Sequence, residues 1–167
     1  MRIVAWILLL VLAPALSACG FSPLYGEGTT GQSVESALRD IEVSPQGTRT
    51  GQLIRNALLE GIPPAAEGNG PLRLDFSVKE KEGRAIVAGN SDSTQQRLTL
   101  DVAYQLVDTR SGRIVHQGST FADTTYTRTR LPIANERARD SAREALARII
   151  ARDIRTRLAS YLATHGS

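Results

Sequence analysis

One cysteine, two histidines and few aromatic side chains stand in a sequence of 167 residues, and each scarcity removes a class of function. A lone cysteine has no partner for an internal disulfide, so the fold must hold without covalent cross-links. A zinc site needs three or four Cys, His, Asp or Glu ligands at suitable spacing. His116 falls in a strand-like segment and His165 near the C-terminus, and neither has such company. A Ser-His-Asp arrangement would have to recruit one of the same histidines, and no G-x-S-x-G elbow occurs. No metal, no catalytic residue and no enzymatic activity are therefore expected. Aromatic residues make up 5% of the chain, too few for the stacking platforms that bind single-stranded nucleic acid. The 20 basic side chains are nearly matched by 17 acidic ones, which excludes the strongly positive field of a nucleic-acid binder. A membrane-spanning helix is missing too. The long apolar run, Ile3 to Leu16, is interrupted by Pro14 and falls short of the roughly 20 residues a span requires.

That short run has another use. Arg2, the apolar stretch and the small residues Ser17 and Ala18 have the form of a secretory signal peptide over residues 1–18. Leu16-Ser17-Ala18-Cys19 resembles the lipobox of bacterial lipoproteins, in which a branched apolar residue and two small ones precede a cysteine that is lipidated. The thiolate is the strong nucleophile such a modification needs. The resemblance implies diacylglycerol and an N-acyl chain on Cys19, with no other cofactor. Two or more acyl chains give a stable anchor where one does not. Gly20 stands where the inner-membrane retention signal of enteric bacteria would place Asp, which implies the outer membrane as destination. Only Arg2 is lost from the charged residues on cleavage, leaving a net charge of +2.

Residues 19–37 read as a tether that reaches roughly 65 Å if fully extended. Gly26 to Gly31 matches G-x-G-x-x-G, but the lipidated cysteine just upstream leaves no room for the strand a dinucleotide site requires. A single domain is expected over 38–163, followed by a disordered tail at 164–167. Ile41 and Val43 suit a short strand. Leu53, Ile54, Ala57, Leu58 and Leu59 form one face of a helix from about 51 to 61, with Thr50 as its N-cap and Pro63-Pro64 beyond its end. Leu72, Leu74, Phe76 and Val78 alternate with polar residues, as do Leu98, Leu100, Val102, Tyr104 and Leu106, so both segments are half-buried strands. The stretch 79–96 between them either prolongs these strands into a long hairpin or forms a loop. Asp108 to Gly112 is a turn, and a third strand follows over about 113–125, with Gly118 marking a bulge. Pro132 opens a helix to about Ala163 with a stripe of Ala138, Ala142, Ala145, Leu146, Ile149, Ile150, Ile154, Leu158 and Leu162. A sheet with one apolar face and two striped helices give an α+β fold. Its expected form is a two-layer sandwich, with both helices on one face of a mainly antiparallel four-stranded sheet in the order β-α-β-β-β-α.

Three segments carry a family resemblance. Cys19-Gly20-Phe21-Ser22-Pro23-Leu24-Tyr25-Gly26, Gly51 to Leu58 and Ala134 to Leu158 resemble the mature N-terminus, first helix and last helix of the LptE family of lipopolysaccharide-assembly lipoproteins. That likeness implies an architectural role. Such a protein sits within an outer-membrane β-barrel translocon of the LptD type, helps it assemble and plugs it while lipopolysaccharide passes to the outer leaflet. Contact with lipopolysaccharide phosphates would need a cluster of cations, and Lys79, Lys81, Arg84 and Arg97 are the local candidates. Two other readings are the auxiliary lipoprotein of a phospholipid-trafficking ABC system and a lipid-anchored cell-wall hydrolase. Neither a metal-ligand set nor a nucleophile setting speaks for the hydrolase.

Overall fold

The computed structural model describes residues 38–62, 70–85 and 94–165. Cys19, the signal peptide, the tether and the glycine motif lie outside the described residues. Six elements follow in order: β1 (Ile41–Val43), α1 (Arg49–Leu59), β2 (Leu72–Arg84), β3 (Gln95–Asp108), β4 (Ile114–Thr127) and α2 (Pro132–His165). They form one four-stranded sheet in the order β1-β2-β3-β4. The β1–β2 pair is parallel, and the other two pairs are antiparallel. A parallel pair needs a crossover, which α1 supplies, whereas the remaining strands meander. Both helices cover the same face, as expected.

Burial explains the layers. Leu74 of β2, Leu98, Leu100 and Leu106 of β3, Ile54 and Leu58 of α1, and Leu146, Ile150, Ile154 and Leu158 of α2 are all fully buried in one cluster. The α2 stripe differs from the expected one at Ile149, which is 54% exposed, while Ala147, Ala151 and Ala159 are buried. The fully buried residues recur every four positions. Ala147, Ala151 and Ala159, each one position after a residue of that row, are buried beside it, and Ile149 turns the other way, into solvent. Alanine on the inner flank lets the helix approach closely.

The helix start is also shifted. Thr48, in extended conformation, caps α1, and its hydroxyl accepts from the Gly51 N–H at 3.1 Å. Thr50 is instead buried inside the first turn and donates to Glu80 at 2.7 Å. Thr48→Ala is expected to lower stability by about 1 kcal/mol in urea unfolding, and no change would show that the cap is not held in solution.

The first and last parts of the stretch 79–96 prolong the hairpin: pairing continues to Arg84 opposite Gln96, and residues 86–93 lie outside the described residues. Gly112 adopts the left-handed conformation expected of it, with φ of 68°. No bulge forms at Gly118. The register shift lies between Leu106 and Val107, which pair with His116 and Ile114 and leave Val115 extra. Gly118 serves close approach: it faces Tyr104, whose hydroxyl would lie 2.6 Å from an added Cβ. Helix α2 continues to His165, where the His165 ring stacks on Tyr161 at 4.6 Å and Tyr161 stacks on His116 at the same distance. This column fastens the C-terminal end of α2 to β4. Burial, followed by the charge of His165, lowers the His116 pKa from its ordinary value.

Candidate functional site

Strand alternation sorts the polar residues between two faces. On β2, Leu74 and Phe76 enter the core, and the same parity carries Glu80, Glu82 and Arg84 onto the helix-covered side. Lys79 and Lys81 face the open side, as does Arg97 of β3. The four cations singled out in the sequence thus divide three and one. Lys81 Nζ lies 2.7 Å from Asp101 Oδ2, and Arg97 Nε lies 3.6 Å from Asp123 Oδ2. Lys79 stands opposite Asp101 in the strand register. The open face is therefore largely compensated in charge.

Where the apolar core runs out, toward the hairpin tip, ion pairs replace it. Glu80 accepts from Arg143 Nη2 at 2.7 Å and from Thr50 at 2.7 Å. Arg143 also donates to Asp140, which in turn takes Arg49 of α1 at 3.0 Å. Two residues further along β2, Glu82 lies 3.3 Å from Arg139 Nε and receives the hydroxyl of Tyr126. Burial by itself would raise the Glu80 pKa. Hydrogen bonds from Arg143 and Thr50, with the Arg143 charge, outweigh it and hold the carboxyl below its usual range. Burial and the hydrogen bond to Glu82 push the Tyr126 phenol up. This seam joins α1, β2, β4 and the N-terminal part of α2.

The seam holds a rim in place. Between β4 and α2, the side chain of Asn135 accepts from the Thr129 N–H at 2.7 Å and donates to the Thr129 carbonyl at 2.9 Å. The turn so fixed presents Arg128 and Arg130, which line an open depression with Arg84, Thr94, Gln96 and Thr129. Beside it Leu131 and Ile133 are 67% and 72% exposed, next to Arg137. Among the described residues no carboxylate pairs with Arg84, Arg128, Arg130 or Arg137. Free guanidinium groups beside exposed aliphatic side chains suit a ligand that is anionic at one end and apolar at the other. Of the cations expected from the sequence, only Arg84 belongs to this rim. Its other cations, Arg128 and Arg130, lie more than forty residues downstream of Arg84, in the run Arg128-Thr129-Arg130-Leu131-Pro132-Ile133, where cations beside apolar residues are the sequence signal.

The fold and the rim define a class: a two-layer α+β protein with a cationic, apolar-edged surface at one end of a mainly antiparallel sheet. The profile of the LptE family, described as lipopolysaccharide-assembly, matches residues 38–158. The chain belongs to the LptE family, and its part in lipopolysaccharide assembly follows from that membership. An uncharacterized protein of Rickettsia prowazekii is 27% identical over 156 residues, covering 93% of this chain and 96% of the relative. Among solved structures, a lipoprotein from Caulobacter crescentus is 29% identical with a TM-score of 0.70, covering 79% of this chain and 97% of its own. The rare lipoprotein B of Shewanella oneidensis shares the fold at 14% identity and a TM-score of 0.54, over 76% of this chain and 97% of its own.

Proposed function

We propose that this protein is an outer-membrane lipoprotein, anchored through lipid on Cys19, that assembles with an LptD-type β-barrel, plugs it and supports insertion of lipopolysaccharide into the outer leaflet. Family membership supports the system. The observation that carries direct contact is the rim, where Arg84, Arg128 and Arg130 pair with no carboxylate among the described residues and lie beside Leu131 and Ile133. Phosphates of lipopolysaccharide would meet the guanidinium groups in charge-assisted hydrogen bonds, and acyl chains the aliphatic pair. Lys79, Lys81 and Arg97 are secondary contacts, because they face Asp101 and Asp123 on the other side of the sheet. The reading needs no catalytic group.

Two triple variants test it. Arg84→Gln/Arg128→Gln/Arg130→Gln is expected to weaken binding of purified lipopolysaccharide about ten-fold or more. Lys79→Gln/Lys81→Gln/Arg97→Gln is expected to change it by no more than about two-fold, since compensated surface charges contribute little. The opposite ranking would move the contact to the open face, and no loss in either variant would remove direct contact. Failure of the lipidated protein to co-purify with the barrel from outer membranes would overturn the plug itself.

A further inference from the structure

The two edges of the sheet differ in how they are guarded. β1 covers β2 only from Leu72 to Leu74, and Gln46 Nε2 donates to the Phe76 carbonyl at 3.4 Å. The rest of that edge, residues 78–84, carries Lys79, Glu80, Lys81, Glu82 and Arg84, five charged side chains in seven positions. Charge of this density is how natural sheets repel a stray strand. The opposite edge has no such guard. Over its 14 residues β4 carries one charged side chain, Asp123, with no lysine, arginine or proline. Its irregularity is confined to the first residues, opposite Leu106 and Val107.

Which backbone groups this edge offers follows from one hydrogen bond. The Arg128 N–H donates to the Thr94 carbonyl at 2.8 Å. In an antiparallel pair, bonded and non-bonded residue pairs alternate. Even-numbered residues of β4 therefore bond to β3, and the N–H and C=O groups of Gln117, Ser119, Phe121, Asp123 and Thr125 point away from the sheet. Among the described residues nothing caps them. Phe121, at the middle of this row, is 69% exposed, and Ile114 at its start is 52% exposed.

We infer that β4 is a docking edge, to which an extended segment of the barrel partner adds as a fifth strand. The free ladder specifies the kind of occupant, since only extended backbone satisfies donors and acceptors at this repeat. The near absence of charge specifies its composition: a neutral segment whose apolar side chains cover Phe121. Wall strands of a closed barrel are bonded on both sides, so the segment comes from a loop or a terminal extension. The choice of the barrel as partner rests on the proposed function, whereas the edge itself does not.

Hydrogen exchange of the full-length lipidated protein, alone and in the purified barrel complex, tests this. Amides of Ser119, Phe121, Asp123 and Thr125 are expected to exchange at least about ten-fold more slowly in the complex. A complex in which those rates are unchanged overturns the docking edge and leaves the proposed function standing. Absence of any complex overturns the proposed function and this partner with it. Equal protection in the protein alone, rising with its concentration, would assign the edge to a second copy and overturn the barrel segment. The double variant Ser119→Pro/Asp123→Pro removes two outward donors without touching the bonds to β3, and is expected to weaken the complex about ten-fold or more. Should it fail to fold, Ser119→Lys/Thr125→Lys places guarding charges on the same edge, and undiminished complex formation by that variant refutes the inference.

Discussion

Ile150→Ala is expected to destabilise the protein by about 3 to 4 kcal/mol, measured as the loss of unfolding free energy in urea. Ile150 is fully buried, in the row that α2 contributes to the core. Truncation removes its transfer free energy and leaves a cavity that the long helix cannot close, because the same row holds the helix in place on either side. The adjacent Ile149→Ala, at a position 54% exposed, is expected to cost well under about 1 kcal/mol. The contrast is the informative part. Equal costs at the two positions would mean that α2 is rotated about its axis relative to the register described, and the rim at its N-terminal end would be placed wrongly as well.

The second large effect concerns the ionic seam. Arg143→Ala is expected to cost about 1 to 2 kcal/mol near neutral pH, because it strips a half-buried carboxylate of its principal partner. Full burial would make the loss larger, but the Arg143 and Glu80 side chains retain 19% and 25% exposure. The pH dependence has a definite sign. Glu80 titrates below its ordinary value of 4.5 in the folded protein, so its contribution is complete above that pH and is lost as pH falls through the depressed value. Melting temperature should therefore drop on acidification below about 4.5, and Glu80→Gln should flatten part of that drop. Asp75 and Asp108 are depressed too and keep the remainder of the slope. For Asp75 burial raises the pKa, and the hydrogen bonds from Arg73 and Ser44 more than reverse it. For Asp108 the main cause is the Ser111 backbone N–H. A wild-type melting temperature that stays flat into acid would show that the seam does not form in solution.

If the seam loosens, the effect should reach the rim. Residues 132–141 of α2 contain no fully buried side chain, and Ala138 alone among their apolar side chains packs against the core, so this part of the helix depends largely on Arg139 and Arg143. The rim arginines Arg128 and Arg130 immediately precede it in the chain. An Arg143→Ala protein that still folds is thus the natural background in which to ask whether lipopolysaccharide binding depends on the rim's position as well as its charge.

What the sequence determined by itself was whatever repeats with a local period or belongs to a single turn. Alternation from Leu72 to Val78 and from Leu98 to Leu106 announced two strands of a sheet with one buried face, and the stripe through Leu146, Ile150 and Leu158 announced the long helix. Gly112 declared its turn because only glycine takes a positive φ cheaply. Family-like segments at both helices point to the assembly system from the sequence alone. The parts decided only by tertiary structure depend on elements far apart in the chain. Thr50 looked like a cap because its side chain suits one, but Glu80 on a strand thirty residues away claims it. Gly118 looked like a bulge, but the Tyr104 ring across the sheet is what requires it. Lys79, Lys81, Arg84 and Arg97 formed a cluster in sequence, and the two-residue repeat of the strand sent Arg84 to the opposite face. Arg84 meets Arg128 and Arg130 only because β3 and β4 return to the same end of the sheet. Local preference reads out period and turn, whereas neighbours across a sheet are set by register, which no window of sequence contains.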